Sequence, residues 1–255
     1  MQQRLGVIDL GSNTTRLIIM SYRSHHSFRL LDEVRENVRL AEGIGEDGRL
    51  KQAPMDRAVA TMRLYNRLCQ SADVAEIIPV ATSAAREATN GAEFLARVER
   101  EAGLTFRVLS TEEEAYYGYL GVANTLNLSD AFSIDIGGGS TQVAMIRGRR
   151  FIRSISQPIG ALRLTDRFVK SDPISPKDFK ALEQAAAERF ADVDWLDQHG
   201  SSELAGIGGT IRTLADIDQK RRNYPIGLTH AYVFTREHLA ETIDLLRGMT
   251  VHQRE

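Results

Sequence analysis

Two stretches of this chain carry residue types suited to phosphate chemistry. At 132–141 the sequence reads FSIDIGGGST: an apolar run holding Asp135, then Gly137, Gly138 and Gly139, then Ser140 and Thr141. Glycines tolerate the tight turn that lets successive backbone N–H groups point at one anion. A carboxylate at the lip suits a hard cation, which takes oxygen ligands, or an attacking water. The plain alternative is a hairpin turn that needs positive φ and nothing else. The pattern also occurs earlier, since residues 5–21 read LGVIDLGSNTTRLIIMS and residues 132–147 read FSIDIGGGSTQVAMIR. Asp9 aligns with Asp135, Gly11 with Gly137, Thr14 with Ser140 and Thr15 with Thr141. Gly11, Ser12, Asn13 and Thr14 are therefore a second candidate phosphate loop, and Asp9 is a second candidate metal ligand.

Four further places could serve the same chemistry. Arg16 follows the first turn; it is either a phosphate clamp, for which a guanidinium fork is well shaped, or a strand residue facing solvent. Arg86 lies in VATSAAREATN, just past a short strand at 76–81. Ligands gather at the carboxyl ends of strands in open α/β sheets, so Arg86 could hold an anion there or be an exposed helix arginine. Glu114 sits in STEEEA, where Thr111 and Glu114 match the S/T-x-x-E capping box. Capping alone accounts for the glutamate, while a carboxylate at that place could also act as general base on water. Gly208, Gly209 and Thr210 follow a strand at 203–207 and open a helix, a third potential anion site.

The elements that must position these residues follow from the repeat. A strand precedes and follows each turn, so the duplication implies two related domains, residues 1–121 and 122–255, joined near Gly121. Further strands are expected at 28–32 and 105–109. A helix starts at Pro54 and runs to about residue 72, with Val59, Met62 and Cys69 on its apolar face. Asn90 and Glu93 read as a capping box for a helix through Arg100, ended by Gly103. Ser175 and Pro176 start another. A final helix is capped by Thr235, ends at Gly248 and places Leu239, Ile243 and Leu246 on one face. Arg147, Arg149, Arg150 and Arg153 form a charged hairpin edge or a track for a polyanion. Residues 220–222, His25 and His26 read as surface, and Trp195 as packing.

Composition narrows the partners. A chain of 255 residues can hold two domains, and 42% hydrophobic with 26% charged residues fits a globular protein. A net charge of −2 gives no general attraction to nucleic acid or to an anionic membrane, so neither is an expected partner. The single cysteine, Cys69, rules out an intramolecular disulfide and a cysteine-based metal cluster. No apolar run reaches membrane-spanning length, and the first residues lead directly into a strand, so the cytoplasm is the expected location.

In order along the chain, VIDLGSNTTRLII, VATSAAREATN, LSTEEEAYYGYLGV, SIDIGGGSTQV, QPIGALRLTDRF and GIGGTIRTLA resemble the exopolyphosphatase/guanosine pentaphosphate phosphatase (Ppx/GppA) family of the actin-like ATPase superfamily. The resemblance implies an α/β protein with two ribonuclease H-like domains flanking a central cleft. It implies hydrolysis of phosphoanhydride bonds: terminal phosphate released from inorganic polyphosphate, or the 5′ γ-phosphate from guanosine pentaphosphate, with Mg²⁺ (or Mn²⁺) as cofactor. On this resemblance Glu114 orients and deprotonates the attacking water, and Asp135 holds the metal. Residues 11–14 and 137–141 are phosphate loops, Arg16 and Arg86 contact phosphate, and residues 208–210 form the other wall of the cleft. Two departures bear on the expectation. The family reads DIGGGSTE where this chain has Gln142, an amide that binds Mg²⁺ poorly. Relatives also continue where this chain stops at Glu255, so the second domain is expected to be short, and a homodimer is one way to cover it. A non-catalytic binder of polyphosphate or guanosine alarmones and an ATP-dependent kinase or ATPase are the alternatives on the same fold.

Overall fold

The computed structural model describes residues 3–24, 26–45, 47–197 and 203–254. The chain divides into two compact units, Met1–Glu114 and Ala115–Glu255.

In the first unit, β1 (Gln3–Leu10), β2 (Thr15–Arg23) and β3 (Ser27–Glu36) form an antiparallel meander. After α1 (Gln52–Ser71), β4 (Glu76–Ala81) returns parallel beside β1. Then come α2 (Ser83–Glu87), α3 (Gly91–Ala102) and β5 (Arg107–Val108), and the sheet order is β3-β2-β1-β4-β5; the division between the units falls within α4 (Thr111–Thr125). Burial alternates along β2, so Leu17 and Ile19 face the core. The α1 face that shares this core carries Ala58, Val59, Met62, Tyr65 and Cys69 at helical spacing. The Tyr65 hydroxyl reaches the carbonyls of Thr15 and Val34 at 3.1 and 3.2 Å, fixing the helix to β2 and β3. Burial pushes the Cys69 thiol up, which leaves it an inert packing group.

Two expectations in this unit need correction. The strand at 105–109 shrinks to Arg107–Val108, which pair in parallel with Val80 and Ala81 at the end of β4. Asn90 precedes α3 but does not cap it with its side chain. Its Oδ1 accepts from the Leu50 N–H at 2.8 Å and its Nδ2 donates to the Leu50 carbonyl at 3.1 Å, so a buried loop contact takes the amide. Gly103 ends α3 in the left-handed conformation, φ +67°, as expected. His26 is exposed; His25 lies outside the described residues.

The second unit repeats the strand plan. β6 (Ala131–Ile136), β7 (Thr141–Arg147) and β8 (Arg150–Gln157) are antiparallel, and β9 (Glu203–Ile207) lies parallel beside β6, giving β8-β7-β6-β9. The crossover between β8 and β9 carries α5 (Ala161–Phe168), α6 (Pro176–Phe190) and α7 (Asp194–Asp197). α8 (Gly208–Arg221), α9 (Arg236–Arg247) and α10 (Val251–Arg254) follow β9. Ser175 and Thr235 cap α6 and α9 through their hydroxyls. Trp195 stacks on Phe132 with ring centroids 5.9 Å apart, a packing role. The Arg149 guanidinium donates to the carbonyls of Ala123 and Leu126 and so closes the C-terminal end of α4 instead of lining a polyanion track. In α9 the buried residue is Thr242, while Ile243 is 38% exposed, so the apolar face expected at Ile243 does not face a core. No helix among the described residues is long and apolar enough to cross a membrane.

Residues 220–222 are more than surface. Arg222 Nε donates to Asp218 Oδ1 at 2.9 Å, its Nη2 donates to Glu241 Oε2 at 2.8 Å, and Arg221 Nη1 donates to Thr242 Oγ1 at 2.8 Å. The Tyr232 hydroxyl donates to Asp218 Oδ2 at 2.7 Å. Asp218 is 1% exposed. Burial alone would raise its pKa, but the Tyr232 hydroxyl and the Arg222 guanidinium together hold it below the usual carboxylate value. This cluster ties α8 to α9. A depressed folded-state pKa means that the stabilisation is complete above the unfolded value of about 4 and is lost as pH falls through the folded value. Asp218→Asn should cost about 2 kcal/mol at neutral pH. Thermal unfolding from about pH 6 to about pH 3 should show the gap between wild type and variant closing as acid is added. Parallel curves would show that Asp218 is not held as described.

Candidate active site

Each unit presents the same four-residue turn, built by the same bonds. In β1–β2 the register pairs Leu10 with Thr15 and Asp9 with Arg16, leaving residues 11–14 as the loop. In β6–β7 it pairs Ile136 with Thr141 and Asp135 with Gln142, leaving residues 137–140. One bond closes each mouth: Gly11 N–H to Thr14 O at 3.2 Å and Gly137 N–H to Ser140 O at 2.9 Å. A Cβ on Gly11 would meet Thr14 O at 2.7 Å, so the closure needs glycine there.

A neighbouring segment then pulls two adjacent loop carbonyls to one side. Ser12 O and Asn13 O accept from the N–H groups of Ala41 and Arg39 at 2.9 and 2.8 Å. Gly137 O and Gly138 O accept from Ala161 and Leu162 at 2.8 and 3.0 Å, at the first turn of α5. In a planar trans peptide the N–H of the next residue points opposite to the carbonyl. Asn13 and Thr14, and likewise Gly138 and Gly139, therefore turn their N–H groups away from that support. Those four N–H groups meet no backbone acceptor among the described residues. Gly160 permits the arrangement, because a Cβ there would lie 2.6 Å from Gly137 O and from the Gly138 carbonyl. In the sequence this support shows only within the stretch QPIGALRLTDRF. The signal was the glycine between Ile159 and a helix start.

The strand that lies parallel beside the hairpin also braces it in each unit. Thr82, past the end of β4, donates its N–H to Leu10 O at 3.2 Å, and Ser83 Oγ meets Ser12 Oγ at 2.7 Å with both serines buried. Thr210, past the end of β9, donates its hydroxyl to Ile136 O at 2.8 Å. Ser83 was not among the site residues named from sequence; only its place at a strand's carboxyl end pointed to it.

In the second unit these pieces converge on Asp135. Gly208 has φ +82°, and a Cβ built on it would lie 2.2 Å from Asp135 Oδ1. The carboxylate thus rests against the first residue of α8, where the helix dipole favours negative charge. Gln142, opposite Asp135, is 7% exposed and donates from Nε2 to Ser140 Oγ at 2.8 Å and to Ser156 Oγ at 3.3 Å. Thr141 is buried, its hydroxyl on Ile159 O at 2.7 Å. Gly209 has open space at its Cα.

In the first unit Asp9 is exposed at the end of β1, and Arg16 opposite it pairs with Glu33 at 3.3 Å. Arg86 and Glu114 come together. Arg86 Nη1 donates to the Leu109 carbonyl at 2.8 Å and to Glu114 Oε2 at 2.5 Å, with the side chains 19% and 14% exposed. Arg86 Nη2 is buried without a hydrogen-bond acceptor among the described residues; Glu87 Oε1 lies 3.9 Å away. The expected cap of α4 shifts by one residue. Ser110 Oγ accepts from the Glu113 N–H at 3.1 Å, and Glu113 Oε2 accepts from the Ser110 N–H at 2.9 Å. Those backbone and Arg107 contacts hold the Glu113 carboxyl below its ordinary pKa. The capping box expected of Thr111 and Glu114 is thus formed by Ser110 and Glu113. Among the described residues no three His, Cys, Asp or Glu side chains gather as a metal-ligand set.

Comparison with known proteins bears on the same residues. Residues 18–255 match the model of the Ppx/GppA phosphatase family. A structure of the Aquifex aeolicus PPX-GPPA enzyme is 30% identical, covers 100% of this chain and 84% of its own, and superposes with a TM-score of 0.78. An exopolyphosphatase from Cytophaga hutchinsonii is 26% identical over 97% of this chain and 81% of its own, with a TM-score of 0.89. Both share the mixed α/β architecture with two sheets seen here. With the duplicated Asp-led hairpins, the strand order and the family match running through Glu114, Asp135 and residues 208–210, the chain belongs to the Ppx/GppA phosphatase family.

Proposed function

We propose that this protein is an exopolyphosphatase that uses Mg²⁺ to hydrolyse the terminal phosphoanhydride bond of inorganic polyphosphate. The observation that carries the reading is the pairing of Glu114 with Arg86. The Glu114 carboxylate is fixed by one guanidinium nitrogen, Nη1, while Nη2 is buried and unsatisfied. An unsatisfied buried donor is costly, and a phosphate oxygen would relieve it. Glu114 then orients the attacking water and accepts its proton, while Arg86 holds the carboxylate in place and binds the substrate oxygen. Phosphoryl transfer depends on in-line positioning and charge neutralisation more than on a strong base, so an arginine-bound glutamate suffices. Within each unit the paired N–H groups, of Asn13 and Thr14 in the first and of Gly138 and Gly139 in the second, offer donors to phosphate oxygens.

The donor set fits Mg²⁺ of a particular kind. Mg²⁺ is commonly held by one or two carboxylates plus substrate phosphates rather than by an all-protein cage. Asp135 offers one carboxylate against Gly208, and Gln142 adds no second charge. Asp135 would hold the ion, which would neutralise phosphate oxygens there. The Cytophaga hutchinsonii exopolyphosphatase supports polyphosphate as the substrate class. Guanosine pentaphosphate is the close variant, and the assay separates them.

Orthophosphate release with Mg²⁺ should exceed background on polyphosphate and fall by at least about a hundredfold in Glu114→Gln. That variant should still fold, with the circular dichroism of wild type, because Ser110 and Glu113 cap α4, although loss of the Arg86 ion pair lowers its melting temperature. Full activity in Glu114→Gln would remove this residue from the chemistry, and release from guanosine pentaphosphate alone would replace the substrate. Gly208→Ala places a Cβ 2.2 Å from Asp135 Oδ1. It should lower the rate by about a hundredfold through displacement of that carboxylate and raise the Mg²⁺ concentration needed for half activity. An unchanged Mg²⁺ requirement would show that Asp135 does not hold the ion.

A further inference from the structure

The hydroxyl at the last position of each loop, Thr14 in one and Ser140 in the other, differs in the polarity of its hydrogen bond. Thr14 and Ser140 occupy the same place in their turns, since each carbonyl accepts the closing bond. Thr14 Oγ1 donates its proton to Asn37 Oδ1 at 3.0 Å. That leaves the Thr14 oxygen only lone pairs to offer anything else. Ser140 Oγ accepts from Gln142 Nε2 at 2.8 Å. An amide nitrogen has two protons and no lone pair to give, and Ser156 Oγ lies at 3.3 Å for the other proton. Ser140 therefore keeps its own proton for another acceptor. Ser140 and Gln142 are 4% and 7% exposed, so water competes little for this arrangement.

We infer that Gln142 is a positioning residue that fixes Ser140 as a hydrogen-bond donor to a substrate phosphate oxygen, so that the second loop grips phosphate directly. The inference rests on the reading of residues 137–140 as a phosphate loop and adds what decides the sign of its hydroxyl. A carboxylate at position 142 would instead accept the Ser140 proton and turn the oxygen's lone pairs outward. Those lone pairs repel an anion and favour a cation. Gln142 thus sets the second loop to bind phosphate whether or not a metal ion accompanies it, and leaves metal binding to Asp135.

The test is calorimetric titration of the full chain with inorganic tripolyphosphate, once in EDTA and once with Mg²⁺. Wild type should bind in EDTA. Ser140→Ala should bind about tenfold more weakly there. Gln142→Glu should lose at least as much in EDTA and recover most of it with Mg²⁺. The double variant in EDTA should stay within about twofold of Ser140→Ala, because both changes remove one interaction. Gln142→Met, which removes the donor without adding charge, covers the case in which a buried glutamate impairs folding. It should weaken binding in EDTA, and adding Ser140→Ala to it should cost little more. Additive losses would overturn the inference, because a simple charge effect at 142 does not act through Ser140. Wild-type affinity of Gln142→Glu in EDTA would overturn it as well. In either case, tripolyphosphate that is still bound and cleaved by wild type leaves the proposed function standing. Wild type that neither binds nor cleaves tripolyphosphate under both conditions would end both.

Discussion

One bond holds the glycine-led turn of each unit in shape: the N–H of the first loop glycine to the carbonyl three residues on. It fixes a four-residue turn at the end of an antiparallel pair. A second set of contacts, from residues 39 and 41 in one unit and 161 and 162 in the other, then draws two loop carbonyls to one side. Peptide planarity does the rest, since two N–H groups are forced to the other side. The supports are different pieces of structure, a loop in the first unit and a helix start in the second. Their effect on the turn is the same, and that convergence is the strongest sign that the outward N–H groups are the purpose of the arrangement.

Much of the fold was legible in the sequence because it was written twice. The alignment of Asp9 with Asp135 and Gly11 with Gly137 survives as an identical hairpin register. The plan of three antiparallel strands followed by a parallel one recurs as well. Helix caps at Ser175 and Thr235 and the glycine stop at 103 were readable since each depends on neighbours within a few residues.

What the sequence could not decide was settled by distant contacts. The stretch STEEE satisfies the capping pattern in two frames, Ser110 with Glu113 and Thr111 with Glu114, and nothing local chooses between them. The helix starts one residue earlier than the frame first favoured, and that single step frees Glu114 for Arg86. Asn90 looked like a cap because caps are local, yet its partner is Leu50, forty positions away. Arg222 looked like surface because its acceptors, Asp218 and Glu241, sit on two different helices. Gly208 and Gly160 could be placed in turns, but only the structure shows that one makes room for Asp135 and the other for the loop carbonyls.

The reach of the account is set by whether those turned N–H groups meet an anion. Amide-resolved NMR during a titration with pyrophosphate addresses this at the atoms concerned. The account predicts that the amide signals of Asn13, Thr14, Gly138 and Gly139 move downfield and saturate with the binding curve. Signals that stay in place while the protein demonstrably binds pyrophosphate elsewhere would contradict it.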